Sequence, residues 1–196
     1  MLSKEVTQKR VDPRIQRTRQ LLQQALVELV AEKGFQAITV QDITHRARIN
    51  RATFYAHFVD KFDLLEFNMR EMFREAVRQK LADDAPFSLE NLQNLLLVLG
   101  QVVSQLHHHC IPSDKQFENL AENQIKSQLY EIFTRWFRVS QENQAAAAVP
   151  ADLWAMMTSW AVYGAMRQWV QKEQPEPLPV FVQKVLPIIL GNFQPL

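Results

Sequence analysis

The stretch that decides the fold is Thr39–Lys61, TVQDITHRARINRATFYAHFVDK. Apolar residues recur at helical spacing in both of its halves, and a short connection separates the two. Thr39 and Asn50 are good helix N-caps, because their side-chain oxygens can accept a hydrogen bond from an unpaired backbone N–H of the first turn. The pattern therefore predicts two short helices, over residues 40–47 and 51–57, joined by a tight turn.

The outer face of the second helix is small, polar and basic, since Phe54 and Phe58 turn towards a small core. A short helix of this kind can enter the major groove of double-stranded DNA and contact base edges. Lys61 begins the next helix, where its ammonium group can join helix-end N–H groups at a phosphate. The candidate DNA-binding residues are Thr39, Arg48, Asn50, Arg51, Ala52, Thr53, Tyr55, His57 and Lys61.

This stretch resembles the DNA-binding helix-turn-helix of the TetR (tetracycline-repressor-like) family of transcription regulators. The family usually has Gly where this chain has Arg48, and a left-handed turn costs a non-Gly residue roughly 1 kcal/mol. In the family, the positions of Tyr55, His57 and Lys61 contact phosphates or lie beside the DNA. The matching residues are Thr39-Val40-x-Asp42-Ile43, Ala47, Ile49, Thr53-Phe54-Tyr55-x-His57-Phe58, Lys61 and Leu64-Leu65.

Charge is distributed unevenly along the chain, although its net value is only +1. Residues 1–62 carry 11 Lys or Arg against 6 Asp or Glu, whereas the rest carries 11 basic and 15 acidic residues. A basic N-terminal third on an acidic body is what a protein that binds a polyanion would show. A solvated basic helix face is the alternative, and charge alone does not decide between them.

Composition indicates an all-α protein, because Leu, Gln, Ala and Glu are abundant and only 4 of the 196 residues are Gly. One cysteine, Cys110, excludes an internal disulfide and favours a reducing compartment. We see no signal peptide and no apolar run of transmembrane length, so we expect a cytoplasmic protein with no membrane partner. The run His107–Cys110 lacks metal-ligand spacing, and we expect no metal and no cofactor.

The chain is expected to contain about nine helices in three regions. These are a flexible N-terminal arm (1–12), a three-helix helix-turn-helix DNA-binding domain (13–62), and a C-terminal helical bundle for regulation and dimerisation (63–196). Residues 144–149, an alanine-containing run, can be a helical extension or a linker. Pro187 is expected to kink or split the last helix.

An aromatic and methionine set in the body has two interpretations. In the first, part of it lines a cavity for a small apolar or amphipathic effector, because such side chains offer large and adaptable contact areas. In the second, it is ordinary core. The candidate pocket residues are Trp136, Phe137, Met157, Trp160 and Tyr163.

The last two helices are more apolar than one buried face requires. The resemblance implies that they pack against a second subunit in a four-helix bundle and form a homodimer. Small residues there would allow close helix approach. The candidate dimerisation residues are Trp154, Gly164, Ala165, Trp169, Val182, Val185, Leu186 and Ile189.

Together these features predict a homodimeric, ligand-responsive repressor that binds a palindromic operator. The first alternative is an enzyme or a helical small-molecule-binding protein without a DNA role, but no catalytic constellation is found in the sequence. The second is an adaptor whose apolar C-terminal helices bind another protein.

Overall fold

The computed structural model describes residues 12–109, 115–141 and 150–193, and all regular structure in these ranges is helical. The all-α prediction is therefore confirmed, with eight helices in the described ranges where about nine were expected. Residues 1–11 of the expected arm, Cys110 and the run 144–149 lie outside them. The helices are α1 (Pro13–Lys33), α2 (Val40–Ala47), α3 (Arg51–Tyr55), α4 (Lys61–Arg78), α5 (Leu89–His109), α6 (Lys115–Gln141), α7 (Ala151–Val170) and α8 (Leu178–Phe193).

Helix α8 continues through Pro187, where the sequence predicted a kink or split. Proline removes one backbone N–H from the helix, but Pro187 lies on the exposed side. The carbonyl that loses its partner can therefore be hydrated, which lets the helix pass this residue. None of the helices within the described ranges has the length and apolarity needed to cross a membrane.

The chain divides into two compact units, Met1–Leu65 and Glu66–Leu196. The first contains α1 to α3 and the start of α4, and its core is built from side chains that these four helices and the connecting loops each contribute. Burying each such side chain contributes roughly 1.5–3 kcal/mol to folding. The most deeply buried are Leu22, Leu26, Phe35, Ile38, Ile43, Phe54 and Leu64.

The ends of α1 follow its sequence signals. Asp12 caps the helix by accepting a hydrogen bond from the backbone N–H of Arg14 at 2.8 Å, and Pro13 occupies the first helical position. Gly34 ends the helix with φ 75°, a conformation that costs glycine no steric strain. The chain then turns through Phe35–Ile38 into α2.

The turn between α2 and α3 depends on Arg48, which has φ 54° and ψ 42°. Among the described residues it is the only non-glycine with positive φ. Its backbone N–H donates to the carbonyl oxygen of His45 at 3.2 Å. The turn therefore keeps the left-handed geometry expected from the sequence despite the arginine side chain.

Replacing Arg48 with glycine should raise the free energy of unfolding by about 1 kcal/mol, because glycine relieves the left-handed strain. Urea denaturation monitored by circular dichroism measures this change. Arg70→Gly is the matched control, because Arg70 lies within α4 and glycine there should lower the same free energy by about 1 kcal/mol. If both variants lose stability, the left-handed conformation of Arg48 does not strain the turn.

In the second unit, α5 is the central helix, and its apolar residues are buried on nearly every side. The side chain of Trp136 on α6 is buried and donates from Nε1 to the carbonyl oxygen of Ala85 at 2.9 Å. Gly100 lies where α5 meets α8, and a Cβ atom there would overlap the side chain of Leu178. The sequence prediction that α5 is central and buried agrees with this packing.

Candidate nucleic-acid interface

Helix α2 begins with a reciprocal cap. The backbone N–H of Asp42 donates to Thr39 Oγ1 at 3.2 Å, while the backbone N–H and hydroxyl of Thr39 donate to Asp42 Oδ2 at 2.8 and 2.7 Å. These bonds, together with Lys33 Nζ at 3.0 Å, lower the pKa of Asp42 to about 2. The carboxylate is therefore ionised at neutral pH and fixes the start of the helix-turn-helix.

Arg46 fastens α2 to α1. Its Nη1 and Nη2 donate to Glu32 at 2.8 and 2.7 Å, and Nη1 also donates to Glu28 at 3.2 Å. These hydrogen bonds raise the pKa of Arg46, and they lower the pKa of Glu32. The sequence analysis did not assign this role, although Glu28 and Glu32 stand one helical turn apart and could have indicated a cation partner.

Helix α3 is short and is held in place by a side-chain cap and by buried phenylalanine side chains. Asn50 caps it by accepting from the backbone N–H of Ala52 at 2.8 Å, as the sequence predicted. Phe54 and Phe58 are buried beneath the helix. The helix ends at Tyr55 rather than at the expected His57, and the chain turns there so that Phe58 can enter the core.

The outer surface of α3 is exposed and carries several of the candidate DNA-binding residues. Arg51, Ala52, Thr53 and Tyr55 are all exposed, and His57 is half-buried just after the helix. Thr39, Arg48 and Asn50 are also exposed, at the start of α2 and in the turn.

Arg51 and Tyr55 interact with each other on this surface. Arg51 Nη2 donates to the Tyr55 hydroxyl oxygen at 3.2 Å, and its guanidinium carbon lies 5.5 Å from the ring centroid. Stacking of this kind limits the guanidinium to few orientations, so less side-chain entropy remains to be lost on binding.

Lys61 has a different environment from the one expected. Its ammonium nitrogen donates to the carbonyl oxygens of Phe35, Gln36 and Ile38 at 3.1, 3.1 and 2.8 Å. It also lies 4.7 Å from the centroid of the Phe35 ring. Because an ammonium group has three N–H donors, a phosphate contact would require Lys61 to exchange one of these carbonyls.

Residues 22–66, which include this whole arrangement, match the family described as bacterial regulatory proteins, tetR family. The helix-turn-helix of this chain belongs to the TetR family. The match confirms, for this part of the chain, the resemblance seen in the sequence.

Relatives of the chain carry the same kind of description. It is 34% identical over 102 residues to the uncharacterized HTH-type transcriptional regulator YxbF of Bacillus subtilis, covering 50% of this chain and 27% of that protein. It is 24% identical to the HTH-type transcriptional repressor DhaR of Mycobacterium sp. (strain GP1), covering 89% of this chain and 93% of that protein. Both relatives are described as HTH-type regulators of transcription.

A solved structure extends the likeness of fold through the body. FadR of Bacillus subtilis, solved in complex with stearoyl-CoA, has a TM-score of 0.59 and 17% identity to this chain. The alignment covers 89% of this chain and 99% of FadR. At this identity the likeness concerns the fold alone.

The expected pocket residues of the body fall into three environments. Trp136 and Phe137 are buried in the core, whereas Met157 and Trp160 are each 63% exposed on α7. Tyr163 is half-buried and lines a cavity of about 250 Å³ between α5, α6 and α7. The five residues therefore do not line one common pocket, because successive turns of α7 face different neighbours.

The cavity at Tyr163 combines apolar and charged walls. Glu122 accepts from Arg167 Nη1 at 2.9 Å and from Lys126 Nζ at 2.8 Å. Burial, with a smaller effect from Glu122, raises the pKa of Tyr163 to about 12. Its hydroxyl is therefore protonated at neutral pH and can donate a hydrogen bond. The described residues hold no group of three potential metal ligands.

Most of the expected dimerisation residues lie inside the subunit. Trp169, Val182, Val185, Leu186 and Ile189 are buried in its core. Trp154 and Ala165 are half-buried, and Gly164 is exposed. Helical spacing shows that a helix is apolar, not which side meets its own core, and the dimerisation set stays a prediction.

The exposed side of α7 is itself apolar. We call it the α7 face, and it consists of residues at i, i+4, i+7 and i+11, which lie on one side of a helix. Ile188 on α8 is exposed too, at 71%. The α7 face is Leu153, Met157, Trp160 and Gly164.

Proposed function

We propose that the chain is a ligand-responsive repressor that acts in the cytoplasm and binds a palindromic DNA operator as a homodimer. The observation that carries the DNA role is the exposed surface of α3 on a helix held from below by Phe54 and Phe58. Such a helix can enter the major groove without reorganising its own domain.

The residues of this surface divide into two groups by chemistry. Arg51 can donate two hydrogen bonds to guanine, and Ala52 and Thr53 offer a methyl group or hydroxyl to base edges. Tyr55 orients Arg51 and adds a hydroxyl near the backbone. The residues that face phosphates are Thr39, Arg48, Asn50 and His57. Lys61 instead holds the loop after α1 through its hydrogen bonds to three carbonyl oxygens.

The homodimer would form through the α7 face together with the exposed side of α8. A two-fold axis there would pair Trp160 and Met157 with their copies and remove large apolar surfaces from water. Two reading helices then contact half-sites about one helical turn apart, or a near multiple of that spacing. This assigns Met157 and Trp160 to the interface rather than to the pocket.

The effector would occupy the cavity at Tyr163. A volume of about 250 Å³ lies below the usual range for ligand sites, roughly 300–1,000 Å³. It therefore favours a small amphipathic molecule with a hydrogen-bond acceptor for Tyr163, rather than a long ligand such as the stearoyl-CoA of FadR. The effector must bind the DNA-bound and free conformations with different affinities to regulate anything.

Selection from a random DNA pool tests the DNA role. An enriched palindrome whose binding weakens steeply with salt supports it, because each neutralised phosphate releases counterions. No enrichment and a flat salt response would favour a small-molecule-binding protein or adaptor without a DNA role.

Arg51→Ala should weaken binding to the selected sequence about tenfold or more, since a bidentate contact to guanine contributes about 1–3 kcal/mol. It should also relax the preference for one base in each half-site, which a second selection with the variant measures. Arg70→Ala is the control, because Arg70 is an exposed arginine of α4 in the second unit. Equal affinity and equal base preference in both variants would remove Arg51 from the reading surface.

A further inference from the structure

A second groove of the body lies between the C-terminal part of α4 and α6, with a volume of about 280 Å³. Each helix contributes one stripe of side chains to its walls. The floor is apolar and is formed by Phe73, Val77, Leu81 and Ile132. This groove shares no lining residue with the cavity at Tyr163.

One wall of the groove holds a buried amide without a partner. Gln128 is only 6% exposed, and its Nε2 has no hydrogen-bond partner among the described residues. A buried donor left unpaired costs free energy, and folded proteins rarely keep one. Gln128 therefore indicates that the groove lacks an acceptor.

Three guanidinium groups also line the groove. Arg74 pairs with Glu71, and Arg78 pairs with Asp83, each at 3.3 Å. Arg135 has no ion-pair partner within the described ranges. Asp83 and Glu131 are the acidic lining residues, and Arg135 is the one guanidinium of the groove that no ion pair of the described residues holds.

The amide and Arg135 lie at opposite ends of the groove. Seven residues of α6 separate Gln128 from Arg135, which corresponds to about 10 Å along the helix axis. Helix α6 follows α4 in the same direction, because Gln124 bonds to Glu66 at 3.4 Å and Trp136 bonds to Ala85. A ligand must therefore offer one acceptor at each end and an apolar middle.

We propose that this groove binds a small organic acid with a single carboxylate at one end and a neutral carbonyl or hydroxyl oxygen at the other. Arg135 donates to the carboxylate, with the planar geometry that guanidinium and carboxylate share. Gln128 donates to the neutral oxygen, and the methylene chain lies on the apolar floor. The carboxylate supplies the ion-pair partner that Arg135 lacks among the described residues.

Calorimetric titration of the full chain tests the assignment with 4-oxopentanoate and 6-oxoheptanoate as probes. Heptanoate lacks the second acceptor, and 2-heptanone lacks the carboxylate. We expect at least one oxo acid to bind more tightly than both comparison molecules. Absence of binding by both oxo acids at millimolar concentration would overturn the proposal.

Three variants assign the ends of the groove. Arg135→Gln should weaken oxo-acid binding about tenfold or more, whereas Arg138→Gln, on the same helix but outside the lining, should not. Gln128→Leu should remove the preference for the oxo acid over heptanoate, and Glu131→Gln should tighten binding by removing a like charge. Wild-type affinities in the Arg135 and Gln128 variants would overturn the assignment.

Thermal unfolding separates a binding role of Gln128 from a purely structural one. Because leucine removes an unpaired buried donor, Gln128→Leu should unfold at the same or a higher temperature than the wild type. A lower unfolding temperature would mean that the amide supports the fold, and it would remove Gln128 from the proposed site.

Discussion

Replacing both Met157 and Trp160 with glutamate should convert the protein into a monomer and weaken its binding to the selected DNA at least about a hundredfold. Both side chains are 63% exposed and lie on the α7 face, so the substitutions leave the subunit core intact. In a dimer they would place four carboxylates in an apolar interface, at a cost of several kcal/mol per ion. Sedimentation equilibrium measures the association, and fluorescence anisotropy measures the DNA affinity.

The control replaces an exposed polar residue of the same unit, Gln79→Glu, which adds negative charge away from the α7 face. It should leave both the dimer and the DNA affinity unchanged. A double variant that still dimerises, or a wild type that sediments as a monomer at micromolar concentration, would place the interface elsewhere or support the adaptor alternative.

Replacing Lys61 with methionine should lower the free energy of unfolding of residues 1–65 by about 2–3 kcal/mol, because carbonyl groups that lose a charged donor remain unsatisfied. Lys61 bonds to three carbonyl oxygens of the loop that follows α1. Methionine has a similar length and retains the contact with Phe35, so the variant isolates the ammonium group. Hydrogen exchange of the backbone amides in α1 to α3 measures the change.

The competing interpretation makes Lys61 a phosphate contact. In that case Lys61→Met would leave the exchange rates unchanged. It would reduce the slope of log DNA affinity against log salt concentration by the contribution of about one phosphate contact. Lys33→Met is the control, because Lys33 is 37% exposed and contributes one surface ion pair to Asp42. It should change the exchange rates much less than Lys61→Met.

The helix-turn-helix could be predicted well because its signals are local. The caps at Thr39 and Asn50 and the left-handed Arg48 all depend on residues within a few positions in the sequence. The end of α3 was placed two residues late, since entry of Phe58 into the core decides where the helix stops.

The role of Lys61 could not be predicted from its neighbours in the sequence. Its partners lie more than twenty residues earlier and become available only when the loop after α1 meets the start of α4. A lysine at the start of a helix suits a phosphate equally well on sequence grounds. Only the folded loop shows that carbonyl oxygens surround the ammonium group.

The body illustrates a second limit. Trp160 and Trp169 belong to the same apolar helix, yet one is 63% exposed and the other only 7%. Hydrophobic spacing gives the period of a helix, but α7 has apolar residues on all its sides, so the pattern does not fix its rotation. The sequence therefore located the helices of the body without separating its core, its cavities and its exposed apolar face.

The contact between buried Gly100 and half-buried Leu178 joins the central helix α5 to the start of α8. The side chain of Leu178, at the start of α8, fills the space that a Cβ atom at position 100 would need. A larger residue would first force this leucine into another rotamer, so its cost would fall on the packing between α5 and the start of α8. A single missing carbon atom on α5 thus decides which rotamer Leu178 adopts where the two helices meet.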